Sequence, residues 1–200
     1  MTKGELRIGG FVPFSATDYP DHLSAVVFCQ GCPWRCGYCH NVHLQPATNA
    51  TELTWSSILT FLEHRRGLLD AVVFSGGEPT LQHALAGAMH AVKALGFKVG
   101  LHTAGIYPQR LAEVLPLVDW VGLDIKAPFH LYDSVTRAPG SGARARRSAE
   151  IVLESGVAYE FRTTVDRSVL GTEDVAQLSM ELPRMGATRY VLQACRANTA

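Results

Sequence analysis

Cys29-Gln30-Gly31-Cys32-Pro33-Trp34-Arg35-Cys36-Gly37-Tyr38-Cys39-His40-Asn41 packs four of the chain's five cysteines into eleven residues. The spacing is C-x2-C-x3-C-x2-C. A loop of this kind wraps thiolates around a soft metal centre. The run before it, Ser24-Ala25-Val26-Val27-Phe28, is apolar and reads as a short buried strand. The cysteines therefore sit on a loop at a strand's end.

The inner triplet Cys32, Cys36 and Cys39 carries an aromatic residue, Tyr38, just before its last member. Three thiolates on one short loop can hold three irons of a cubane 4Fe–4S cluster and leave the fourth iron open to a ligand. A second reading is a structural zinc knot built on two C-x2-C pairs, Cys29 with Cys32 and Cys36 with Cys39. Paired zinc knuckles generally have a longer spacer, so that each pair can close a turn. Here three residues intervene. Cys29 abuts the strand and suits the role of a small buried hydrophobe.

Outward from this loop, strands and helices alternate. Leu6 to Phe14 reads as a strand or hairpin before the core, and Ser15 to Asp21 as a turn-rich link. A helix begins at Thr54 and runs to about Arg66. Further strands are expected at 69–74, 97–102, 120–126, 157–165 and 188–192, with helices at 81–95, 109–115, 143–154 and 173–185. The stretch 127–142 reads as irregular. Six strands in alternation with helices predict a parallel sheet with helical crossovers. The chemistry then belongs at the strand C-termini. Residues 1–200 read as one domain, with 1–22 an N-terminal extension and 193–200 a flexible tail.

Composition narrows the function classes. Lys plus Arg and Asp plus Glu are 18 each, so there is no electrostatic case for nucleic acid. No apolar run reaches the ~18 residues of a membrane span. An odd number of clustered cysteines does not resemble a secreted disulfide framework, and a reducing cytoplasm is the expected setting. No second cysteine group accompanies Cys195, so no auxiliary cluster is expected.

The predicted strand ends carry further polar motifs. Gly76-Gly77-Glu78-Pro79 follows the second core strand. Its glycines let backbone approach a ligand, and Glu78 can accept from an ammonium group. His102-Thr103-Ala104-Gly105 ends the third. Asp124 and Lys126 are two apart on the fourth and so share a face. Arg162 on the fifth suits bidentate binding of a carboxylate.

Taken together, C-x3-C-x2-C, Gly-Gly-Glu-Pro, Asp-x-Lys and the arginine resemble the radical S-adenosylmethionine (SAM) superfamily. Cys39-His40-Asn41 resembles its glycyl-radical-enzyme activases, above all the short activases of anaerobic ribonucleoside-triphosphate reductase. The resemblance implies an α/β fold, a partial open (β/α)6 barrel. It implies a 4Fe–4S cluster on Cys32, Cys36 and Cys39, and SAM held by Tyr38, Gly76, Gly77, Glu78, Thr103, Asp124, Lys126 and Arg162. It implies transfer of hydrogen from a partner protein's glycine to a 5'-deoxyadenosyl radical, with electrons from an external donor such as a flavodoxin or ferredoxin. His102 departs from the activase pattern, which has aspartate there, and Ala104 from its asparagine. A small-molecule enzyme of similar size, such as a 7-carboxy-7-deazaguanine synthase, is the alternative within the superfamily. A zinc-binding module is the alternative outside it.

Overall fold

The structure is a computed structural model that describes residues 5–48 and 51–195. Among the described residues seven strands form one sheet in chain order: β1 (Ile8–Ser15), β2 (Ser24–Cys29), β3 (Ala71–Gly76), β4 (Lys98–Thr103), β5 (Trp120–Asp124), β6 (Ala158–Val165) and β7 (Tyr190–Ala194). β2 to β7 are parallel, and β1 runs antiparallel along β2. The principal crossover helices are α1 (Trp55–Glu63), α2 (Leu85–Ala94), α3 (Pro108–Val114), α4 (Tyr132–Thr136), α5 (Ser141–Ser155) and α6 (Thr172–Arg184). β1 and β7 are the two edges and do not pair, so the barrel is open, as the sequence implies.

Side-chain alternation divides the core in two. Val27, Phe74, Leu101 and Leu123 face outward and pack with Leu62, Met89, Leu111 and Val152 of the helices. Val26, Val73 and Trp120 face inward with Tyr19, which enters from the β1–β2 connection. The Tyr19 and Trp120 rings are 5.5 Å apart. Burying each Val or Leu contributes ~1.5–3 kcal/mol, so both layers hold the sheet. The inner one also closes the base of the barrel. Among the described residues no helix is long and apolar enough to cross a membrane.

Three local expectations are corrected. The helix after Gly-Gly-Glu-Pro starts at Leu85 rather than Leu81, after a 3-10 turn at Pro79–Leu81. Gln82 is extended there because its amide exchanges hydrogen bonds with the Arg7 backbone and donates to Gln30 O. The stretch 127–142 is ordered by α4 and by the Asp133 carboxylate, which accepts from the Gly140 and Ser141 backbone N–H groups. The expected tail loses Gln193 and Ala194 to β7, where they pair with Thr164 and Val165; residues 196–200 lie outside the described residues.

Candidate active site at the parallel strand ends

The parallel strands converge on one pocket of about 440 Å³. Its wall is built from Cys32, Cys36 and Cys39 after β2, and from Gly76 and Gly77 at the end of β3. His102 and Thr103 come from β4, Asp124 and Lys126 from the end of β5, Arg162 from β6 and Gln193 from β7. Thr17 and Asp18 of the β1–β2 connection also line it. Convergence of every parallel strand on one cavity requires the sheet to curl. A larger groove, about 880 Å³, runs between α3 and α5, but no cysteine lines it.

The cysteine loop is held from below. Gly31 N donates to Leu44 O at 2.8 Å and Cys32 N to Gln45 O at 3.0 Å. The Gln30 amide donates to His43 O and Pro46 O. Arg35 N donates to Thr136 O, which ties the loop to α4. Trp34 packs edge-on against Tyr132, their rings 5.9 Å apart.

None of the described cysteines is in a disulfide. Cys29 is fully buried among the apolar residues of the outer core, and burial pushes its thiol far up. Its burial is what is expected of a cysteine abutting the strand. Burial, with Glu78 adding to it, pushes the Cys32 thiol up to about 12. A bound cation would reverse that preference.

Cys32, Cys36 and Cys39 bring three thiols to one pocket, a soft donor set that suits iron in a thiolate-held cluster. The buried Trp34 Nε1 and Tyr38 hydroxyl have no partner within the protein.

The Gly-Gly pair brings β3 against the root of this loop. Gly77 N donates to Cys29 O and Glu78 N to Gly31 O, both at 2.9 Å. A Cβ at Gly77 would stand 2.4 Å from Gly31 O; one at Gly76, where φ is 108°, would stand 2.5 Å from Cys29 N. Only glycine permits that approach.

Glu78 itself is not where the sequence expectation placed it. Its side chain is fully buried and does not line the pocket. Oε1 accepts from Thr80 N at 3.0 Å, Thr80 Oγ1 at 2.6 Å and Thr103 Oγ1 at 2.7 Å, while Oε2 accepts from Ala104 N at 3.0 Å. With both oxygens engaged from within the protein, the carboxylate joins the ends of β3 and β4.

The opposite wall is charged. Asp124 lies 3.0 Å from Arg162 Nη2 and 3.5 Å from Lys126 Nζ. Burial opposes its ionisation, but the two cations hold the carboxyl below the usual carboxylate range. Burial also opposes the Lys126 charge, yet Tyr38, Asp124 and Cys36 together hold its ammonium well above the usual lysine range. Burial and the Arg162 guanidinium push His102 down to about 4, so it is neutral at pH 7. Its Nε2 lies 2.8 Å from Asp18 O. Asp18 and Thr17 carried no signal in the sequence beyond that of a turn. Cys195 is brought beside the cysteine loop, its Sγ 3.6 Å from His40 Nε2.

The radical SAM superfamily profile matches residues 26–182, from the inner layer of β2 to the last turns of α6. The chain belongs to the radical SAM superfamily. A 4Fe–4S cluster and SAM are the cofactors of that superfamily. The chain is 30% identical over 192 residues to a Methanocaldococcus jannaschii protein assigned as a glycyl-radical enzyme activating enzyme, covering 86% of this chain and 73% of that protein. It is 37% identical over 125 residues to the pyruvate formate-lyase-activating enzyme of Clostridium pasteurianum, covering 60% of this chain and 52% of that enzyme. The chain thus spans about half the length of the latter. In fold it is similar to Streptococcus suis SuiB bound to S-adenosylmethionine, with a TM-score of 0.66 at 16% identity over 86% of this chain and 40% of that one.

Proposed function

We propose that this chain, as a single radical SAM domain, activates a glycyl-radical protein, and that its partner is an anaerobic ribonucleoside-triphosphate reductase. The observation that carries the reading is the meeting of Cys32, Cys36 and Cys39 with Lys126 and Arg162 in one pocket. When bound, the cluster and SAM supply a one-electron cleavage that yields methionine and a 5'-deoxyadenosyl radical. The proposed reaction would move one hydrogen atom from a glycine Cα of the partner onto the 5'-deoxyadenosyl carbon, leaving 5'-deoxyadenosine and a glycyl radical.

The protein's own contribution is binding and orientation. Cys32, Cys36 and Cys39 would hold the cluster through three thiolates, and the cluster would supply the electron for SAM cleavage. Arg162 and Lys126 present cations to the carboxylate or ribose, while Asp124 fixes both of them. The Gly76 and Gly77 carbonyls can accept from the SAM ammonium, and Thr103 and Tyr38 line the same pocket. An external one-electron donor, a flavodoxin or ferredoxin, reduces the cluster, and the setting is the cytoplasm. Glycine suits this chemistry, since no side chain blocks approach to its Cα and the flanking amides stabilise the radical. Positioning then carries the selectivity.

The test mixes reduced, anaerobically reconstituted protein with SAM and the reductase, and records the electron paramagnetic resonance spectrum. A glycyl doublet that disappears when the partner's glycine is changed to alanine is the expected result. SAM turnover coupled to a small metabolite, with no protein radical, would sink it.

A further inference from the structure

Arg162 reaches well beyond its own strand. In the sheet register, Arg162 on β6 pairs with Asp124 on β5, and Gly122 on β5 pairs with His102 on β4. The guanidinium of Arg162 lies directly over Gly122. A Cβ at Gly122 would stand 2.7 Å from Arg162 Cζ and 2.8 Å from both terminal nitrogens. From this seat Nε and Nη2 donate to Asp124 Oδ1 at 3.2 and 3.0 Å. Nη1 comes within 3.3 Å of His102 Nε2, two strands away from its own backbone. The Trp120 ring lies 6.0 Å from Cζ.

Glycine in a central strand is unfavourable, because it gives up side-chain packing and backbone entropy. Here the missing side chain has a definite use. Side chains on one face of neighbouring strands stand side by side. Any Cβ at Gly122 would occupy the volume through which Arg162 crosses β5, and the arginine would have to swing into the pocket.

We propose that Gly122 is a positioning residue: the gap it leaves lets Arg162 lie flat on the barrel wall, with Asp124 and His102 as its stops, so that the guanidinium faces the anionic end of the ligand. This rests on the assignment of Arg162 to SAM made above. Gly122 does not line the pocket. It acts through Arg162 alone.

The experiment is a double-mutant cycle on the anaerobically reconstituted holoenzyme, read as SAM affinity by calorimetry, with iron content and thermal midpoint measured on each preparation. Gly122→Ala is expected to weaken SAM binding roughly tenfold or more, the equivalent of one charge-assisted hydrogen bond, with iron content unchanged. In an Arg162→Met background the same substitution is expected to cause no further loss. An equal loss in both backgrounds, or no loss in the native one, overturns the proposal while leaving Arg162 in place. Unchanged affinity on Arg162→Met alone overturns the assignment of Arg162 itself, and the seat with it. Should Gly122→Ala fail to fold, adding Arg162→Met is expected to restore folding by removing the clash, and no restoration counts against the seat.

Discussion

Glu78 offers the sharpest test of the site's architecture. Its carboxylate collects four donors from two strand ends, and two of them are the backbone N–H groups of Thr80 and Ala104. The hydroxyls of Thr80 and Thr103 can rotate to other partners, but the buried N–H groups cannot. Each such group left unsatisfied costs ~1–3 kcal/mol. Glu78→Ala strands both, so the expected loss is ~2–6 kcal/mol, a large part of the ~5–15 kcal/mol that holds a domain together. Glu78→Gln keeps one oxygen for the Thr80 and Thr103 donors but turns an NH2 group toward Ala104 N, so the expected loss is one bond, ~1–3 kcal/mol. The assay is urea unfolding of the cluster-free chain, paired with SAM affinity of the reconstituted protein. The graded loss, Ala beyond Gln beyond native, supports the joining role. Native stability in Glu78→Gln together with a collapse of SAM affinity would refute it, and would return the carboxylate to direct contact with the SAM ammonium.

Other consequences follow from the same geometry. Cys32→Ala, Cys36→Ala and Cys39→Ala each remove one of three pocket thiols and are expected to abolish SAM cleavage, whereas Cys29→Ala leaves iron and sulfide content intact at a stability loss of ~1 kcal/mol. Gly77→Ala drives a Cβ into Gly31 O and is expected to cost ~1–3 kcal/mol and to lower iron incorporation, both measurable on one preparation. His102 has a folded pKa of about 4 against 6.5 when unconstrained, so between those values the unfolded chain binds the extra proton. Stability contributed by neutral His102 is complete above about pH 6.5 and is lost progressively as pH falls toward about 4. Urea unfolding at pH 7 and pH 4.5 is expected to show a shallower fall in His102→Gln than in the native chain.

The parts of the fold legible in the sequence were those set by local chemistry. Val26-Val27-Phe28 and Val72-Val73-Phe74 declare buried strands because branched and aromatic side chains suit a pleat covered on both faces. Cysteine spacing declares a soft-metal loop, and Asp124 with Lys126 declares a charged strand end. What stayed hidden depends on partners distant in the chain. The late start of α2 follows from Gln82 reaching Arg7, 75 residues away. The inward turn of Glu78 follows from Thr103 and Ala104, 25 and 26 residues away. Asp18 resembles any turn residue until Tyr19, its neighbour, is seen to lodge against Trp120 and carry the connection into the barrel.

The position of Glu78 also explains why a loop with thiols in search of a metal need not be shapeless without one. Thiolates crowd each other, and burial resists their ionisation, so an unsupported loop would spread. Here the root of the loop is fixed by groups that ligate nothing. Cys29 O and Gly31 O accept from Gly77 N and Glu78 N, and Glu78 is in turn tied to the end of β4. The three pocket cysteines therefore hang from a frame belonging to β2, β3 and β4 together. Ligand binding to a preformed frame loses less conformational entropy than binding to a disordered loop. A substitution in the frame is accordingly expected to lower affinity for the cluster and for SAM together, whereas one in Arg162 or Gly122 lowers affinity for SAM alone. Iron content and SAM affinity measured on the same variants separate the two classes.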